Sequence, residues 1–127
     1  MPNHRPPLVL IAADDHAVRD ALEFALRLEG FAVRTYPDEA GLLADRCLAG
    51  ADCIILDDRK PHLDGFAVMA GLRAGAVGGA VILLTGYASA RLRARANSAG
   101  FRMVLEKPLL NNILLDTLRT ILHDERG

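Results

Sequence analysis

Four short apolar runs each deliver a reactive side chain: Asp14 and Asp15 follow residues 8–12, Asp57 closes 53–56, Thr85 closes 80–84, and Lys107 follows 103–105. Acids at two of these ends, a hydroxyl at a third and an ammonium at the fourth suit a hard, oxygen-binding cation such as magnesium, a phosphoryl group, and a lysine that balances the added negative charge. Asp57 is the most telling of them. A β-branched run closed by a polar loop containing Pro61 and Gly65 reads as a buried parallel strand. A carboxylate at the tip of such a strand is costly unless a cation or hydrogen-bond donors await it.

The chain that must position these groups has 127 residues, enough for one domain with a proper core and too few for two. With 51% hydrophobic and 24% charged residues and a net charge of -1, it has neither a basic nucleic-acid footprint nor a disordered character. Cys47 and Cys53 lack metal-site spacing and read as thiols filling core space in a reducing, cytoplasmic setting. Residues 1–7 carry three prolines and no secretory apolar stretch, and read as a loose arm. No run is long enough to span a membrane.

Strands are expected at 8–12, 31–36, 53–57, 80–84 and 103–105, and helices at 16–30, 38–48, 64–75, 88–99 and 109–123. Asp14 or Asp15 can cap the first helix, Asp38 the second and Asp64 the third. The glycines of 75–79 follow a helix and match neither the dinucleotide fingerprint nor the Walker pattern. Five strand-helix units make an α/β fold, a parallel sheet covered on both faces, whose working site lies beyond the carboxyl ends of the strands. The reactive residues above occupy those ends.

Taken together, the strand ending in Asp57, then Pro61, Asp64 and Gly65, then Thr85-Gly86 and Lys107-Pro108, resemble the receiver domains of two-component response regulators. The likeness runs from Leu8 to about Leu122. It implies a doubly wound, flavodoxin-like sheet in the order 2-1-3-4-5 and phosphorylation of Asp57 by a sensor histidine kinase or phosphotransfer protein. It also implies Mg2+ held by the side chains of Asp14 and Asp57 and the backbone carbonyl of Arg59. Lys107 would pair with the phosphoryl group, the Thr85 hydroxyl would swing toward it, and the Lys107-Pro108 peptide would be cis. The chain would transfer phosphate only to and from itself, signal to a downstream protein target, and bind no nucleic acid directly.

Three departures from the receiver pattern stand out. Counting back from Val18 and Arg19 makes Asp14 the second of the usual acid pair and puts Ala13 where the first would be. The first acid usually reaches the metal through water, and losing such a partner typically costs roughly 10- to 100-fold in metal affinity. Val104 stands where receivers often carry a Tyr or Phe that moves with the threonine. The chain also ends soon after its last helix, which leads us to expect a single receiver domain over 1–127 without an output domain.

Two further readings fit parts of the pattern. A degenerate receiver would keep the fold as a phosphorylation-independent protein-binding module, as Ala13 and Val104 favour. An aspartyl phosphatase would need an acid two residues after Asp57, where Arg59 stands. With one acid missing, Arg59 is expected to pair with the remaining carboxylates in the absence of metal, and Arg59 and Tyr87 occupy positions where receivers tune the lifetime of the phosphoryl group. Arg91, Arg93 and Arg95 sit two apart on a helix and cannot form one basic patch. His16 and His62 are placed near the pocket mouth, without a role as phosphodonors.

Overall fold

A computed structural model describes residues 5–110 and 112–126. Its strands are β1 (Leu8–Ala12), β2 (Ala32–Tyr36), β3 (Cys53–Asp57), β4 (Ala80–Thr85) and β5 (Met103–Glu106), and its helices α1 (His16–Leu28), α2 (Glu39–Ala44), α3 (Gly65–Ala74), α4 (Ala90–Ala99) and α5 (Ile113–Arg126). All strand pairs are parallel, in the order β2-β1-β3-β4-β5. This is the expected topology. Reversal of the winding direction between β1 and β3 opens the crevice above their carboxyl ends.

Alternation along each strand divides the core in two. Leu10, Ala12, Ile54, Leu56, Val81, Leu83 and Val104 face Leu42, Val68, Met69, Leu72 and Ala96 of α2, α3 and α4. Val9, Ile11, Val33, Ile55, Ile82, Leu84 and Leu105 face Leu26 of α1 and Leu114, Leu118, Ile121 and Leu122 of α5. With both faces covered, the central strands must be apolar throughout, and β3 is buried along its whole length. Only polar residues with a special reason remain there.

Helix ends follow from local chemistry. Asp15, Asp38, Asp64 and Ser89 each accept amide hydrogens of the first turn of α1, α2, α3 and α4. Gly30 and Gly100 follow α1 and α4 with φ of 94° and 102°, which a side chain would disfavour.

Several boundaries differ from expectation. The helix expected over 38–48 stops at Ala44, and a 3-10 turn covers Leu48–Gly50. Asp45 ends it by turning extended, because its carboxylate is taken by the Tyr36 hydroxyl, by Arg34 Nε at 2.7 Å and by the Cys47 amide at 2.6 Å. The fourth helix begins at Ala90, since Ser89 and not residue 88 supplies the cap. The last begins at Ile113 instead of 109, with Leu109 packing against the α1/α5 core from the preceding loop. The arm over 1–7 is not wholly loose: the Pro7 carbonyl accepts from Ala32 N at 2.9 Å, while residues 1–4 lie outside the described residues. Cys53 fills core space as expected, but Cys47 is only partly buried.

Candidate functional site

Among the described residues only Asp57, Thr85 and Thr117 are buried polar side chains, and the first two stand at the carboxyl ends of adjacent strands. Asp57 is fully buried. Its Oδ1 accepts from Lys107 Nζ at 2.6 Å, a charge-assisted bond that offsets the cost of the buried carboxylate. Its Oδ2 is buried with no hydrogen-bond partner. An acceptor left in that condition is expensive, so it points to a group that the fold is built to receive.

Asp14 is the second such group. It leaves the tip of β1, where Ala12 pairs with Leu56 beside Asp57, and its Oδ1 is likewise buried and unpartnered. Two orphaned carboxylate oxygens on neighbouring strand tips form a donor set for a hard cation. The Arg59 carbonyl, the third ligand that the resemblance implies, accepts from Leu63 N at 2.9 Å and keeps a second lone pair. These residues therefore fit a magnesium ion, with only two side-chain acids. Among the described residues no three His, Cys, Asp or Glu side chains gather as a metal cluster. Ala13, fully buried, has no side-chain ligand to offer a cation.

Lys107 follows β5 directly, its amide donating to Thr85 O at 2.8 Å, and the Lys107-Pro108 peptide is cis, as implied. A second cis peptide, Lys60-Pro61, was not foreseen. Thr85 closes β4 with its hydroxyl 3.4 Å from both the amide and the carbonyl of Tyr87, turned to its own loop. Arg59 lies against the acids, though its hydrogen bond goes to the capping residue: Nη1 stands 3.1 Å from Asp15 Oδ2 and 3.9 Å from Asp14 Oδ1. Asp15 is held below the usual carboxylate range by the Val18 and Ala17 amides and by Arg59. Its main work is capping α1.

Residues that sequence reasoning missed fix the loops. Arg19 Nη1 donates to the carbonyls of Ala13 at 2.8 Å and Asp14 at 3.1 Å. Asp58 Oδ1 accepts from Gly65 N at 2.8 Å, and Arg59 and Leu63 exchange both backbone bonds across the intervening turn. Glu106 Oε1 accepts from Ala88 N at 2.8 Å and ties the β4–α4 loop to the end of β5. The signals for these were weak. Each acts on main chain, whose position a sequence does not display.

The remaining candidates disperse. Arg93 Nη1 reaches Val104 O at 3.2 Å, Arg95 lies over the Phe66 ring at 3.9 Å, and Arg91 is exposed, so no basic patch forms from the three. His16 is exposed and 3.1 Å from Asp20, and His62 is exposed in the turn between Arg59 and Leu63.

Comparison with known proteins gives the same family as the strand-end residues. A family model described as the response regulator receiver domain matches residues 9–119. The C4-dicarboxylate transport transcriptional regulatory protein DctR of Rhodobacter capsulatus is 36% identical over 110 residues, covering 85% of this chain and 56% of that protein. The transcriptional regulatory protein FixJ of Azorhizobium caulinodans is 32% identical over 122 residues, covering 96% and 57%. Among solved structures, the Vibrio cholerae chemotaxis protein CheY4 superposes with a TM-score of 0.84 at 26% identity, over 92% of this chain and 99% of that one. The chain thus spans about half the length of the two curated relatives.

Proposed function

The chain belongs to the response regulator receiver family, and from that membership we propose that it is a working phosphoacceptor, with Asp57 taking a phosphoryl group from a histidine kinase or phosphotransfer protein. The observation that carries this reading is the state of Asp57: fully buried, bonded to Lys107 through one oxygen and unpartnered at the other. In the transfer an Asp57 oxygen forms a bond to phosphorus as the donor's N–P bond breaks, its electron pair returning to the donor histidine nitrogen. Lys107 then follows the negative charge from the carboxylate to the phosphoryl oxygens. The Thr85 hydroxyl, held by two bonds of only 3.4 Å, is free to turn toward the new acceptor.

Asp14, Asp57 and the Arg59 carbonyl would hold Mg2+, which when bound supplies charge neutralisation for the phosphoryl oxygens. No separate metabolite is turned over, and the output is altered contact with a downstream protein. DctR and FixJ are named as transcriptional regulators; with Arg93 turned to Val104 O and Arg95 laid over Phe66, we assign the described residues no direct nucleic-acid contact. No helix among the described residues is long and apolar enough to cross a membrane; the cytoplasmic setting is proposed from the receiver family alone.

A second reading, a binding module indifferent to phosphate, is favoured by the buried Ala13 and by Arg59 lying against the acids. Intact mass after incubation with magnesium and a small-molecule phosphodonor separates the two. Gain of one phosphoryl group, absent in Asp57→Asn and absent without magnesium, is expected. No gain at any magnesium concentration, in folded protein, establishes the binding module.

A further inference from the structure

The acidic crevice already contains a cation, the guanidinium of Arg59. Its 3.1 Å contact with Asp15 Oδ2 is a charge-assisted hydrogen bond, whereas 3.9 Å to Asp14 Oδ1 is too long for one and still close enough for charge attraction. Asp14 Oδ1 remains buried and unbonded, so the guanidinium neutralises that oxygen without satisfying it. Arg59 is therefore a partial substitute for something that binds better.

From this arrangement we infer that the Arg59 guanidinium is an internal counter-ion that competes with magnesium for Asp14 and sets the concentration at which the site fills. The inference rests on the reading of the crevice as a magnesium site. Asp14, Asp15 and Asp57 bring three negative charges, and Lys107 and Arg59 return two positive ones. With Ala13 in place of an acid, a dication that entered while Arg59 stayed would add two positive charges to a site with one unbalanced negative charge. Arg59 must give way.

The chain allows it to do so. The side chain of Arg59 is 49% exposed, so it can withdraw into water at little cost. Its main chain stays where it is, because both backbone bonds to Leu63 hold the carbonyl independently of the side chain. One residue thus presents a fixed oxygen to the metal and a movable charge against it. Asp15 remains anchored throughout, since its Oδ1 caps α1 through Ala17 N at 2.8 Å and Val18 N at 3.3 Å.

The test is titration of MgCl2 into 15N-labelled, unphosphorylated protein at constant ionic strength, following the amide resonances of Asp57, Asp58 and Arg59. Removing the charge in Arg59→Gln should tighten magnesium binding roughly tenfold, and Arg59→Lys should stay within about threefold of the parent. Equal affinity in the parent and Arg59→Gln overturns the inference while leaving the magnesium site intact. Absence of saturable shifts in both, or binding undiminished in Asp57→Asn, instead overturns the site itself. The same spectra report whether each variant is folded, and Arg59→Met, of similar length and uncharged, gives the comparison should Gln perturb the turn.

Discussion

Ala13 marks the point where this crevice departs from the usual receiver composition, and its burial sets what restoring an acid would do. In Ala13→Asp a further carboxylate joins Asp14, Asp15 and Asp57 in a space without spare donors, so the metal-free protein should lose roughly 1–3 kcal/mol. Magnesium affinity should rise by about 10- to 100-fold. Urea melts in chelator together with the magnesium titration check both signs. Lys107 offers a complementary case, because its ammonium is bonded to a buried carboxylate. Lys107→Met should cost roughly 1–3 kcal/mol, discounted for the lysine's partial exposure, and much of that loss should disappear when Asp57 is also changed to Asn. A double-mutant cycle measures the difference. The placement of Asp14, Asp57, Thr85 and Lys107 at or just beyond strand ends was legible in the sequence, because each follows or closes a short apolar run. Arg19, Asp58 and Glu106 were not, since they bind main-chain atoms brought near by folding.

At the level of elements, the strands were easier to read than the helix ends. β1 and β3 are interior apolar runs whose length alone excludes a helix, and both fall where the pattern placed them. The end of α2 was hidden because Asp45 looks like any helical polar residue until Tyr36 and Arg34 of β2 arrive beside it. That cluster gives the fold an acid sensitivity. Asp45 is held well below the ordinary carboxylate value, first by the Tyr36 hydroxyl and then by the Cys47 amide. Folding therefore favours its charged form, and the resulting stability is complete above about pH 4 and lost as pH falls toward the depressed folded value. Chemical denaturation between pH 5 and 2 should show a shallower decline in Asp45→Asn than in the parent, from a lower starting point. Two glycines separate stability from site geometry. A Cβ on Gly79 would fall 2.6 Å from Ala51 O, at the end of the sheet remote from Asp57, and one on Gly65 would fall 2.5 Å from Leu83 Cδ1, beside the Asp58 contact. Both Ala variants should lose about 1–3 kcal/mol, but only Gly65→Ala should also weaken magnesium binding.

For the molecule as a whole, the unmet acceptors of Asp14 and Asp57 mean that the fold carries a cost which the proposed cation would remove. The apolar sheet, buried on both faces, tolerates that cost because its stability comes from the two cores and not from the crevice. Ligand binding and global stability are therefore linked: any species that binds only the folded chain raises its stability by RT ln(1 + [L]/Kd). Magnesium at ten times its dissociation constant should add about 1.4 kcal/mol and raise Tm by roughly 4–6 °C. Thermal melts across a magnesium series test this without any phosphodonor. The increment should vanish in Asp14→Asn, where a neutral amide replaces the orphaned carboxylate, and it should begin at lower magnesium in Arg59→Gln. An equal increment with calcium would show that the crevice selects only for charge. A smaller one would show that two acids, one backbone carbonyl and a retained water shell are enough to favour the smaller ion.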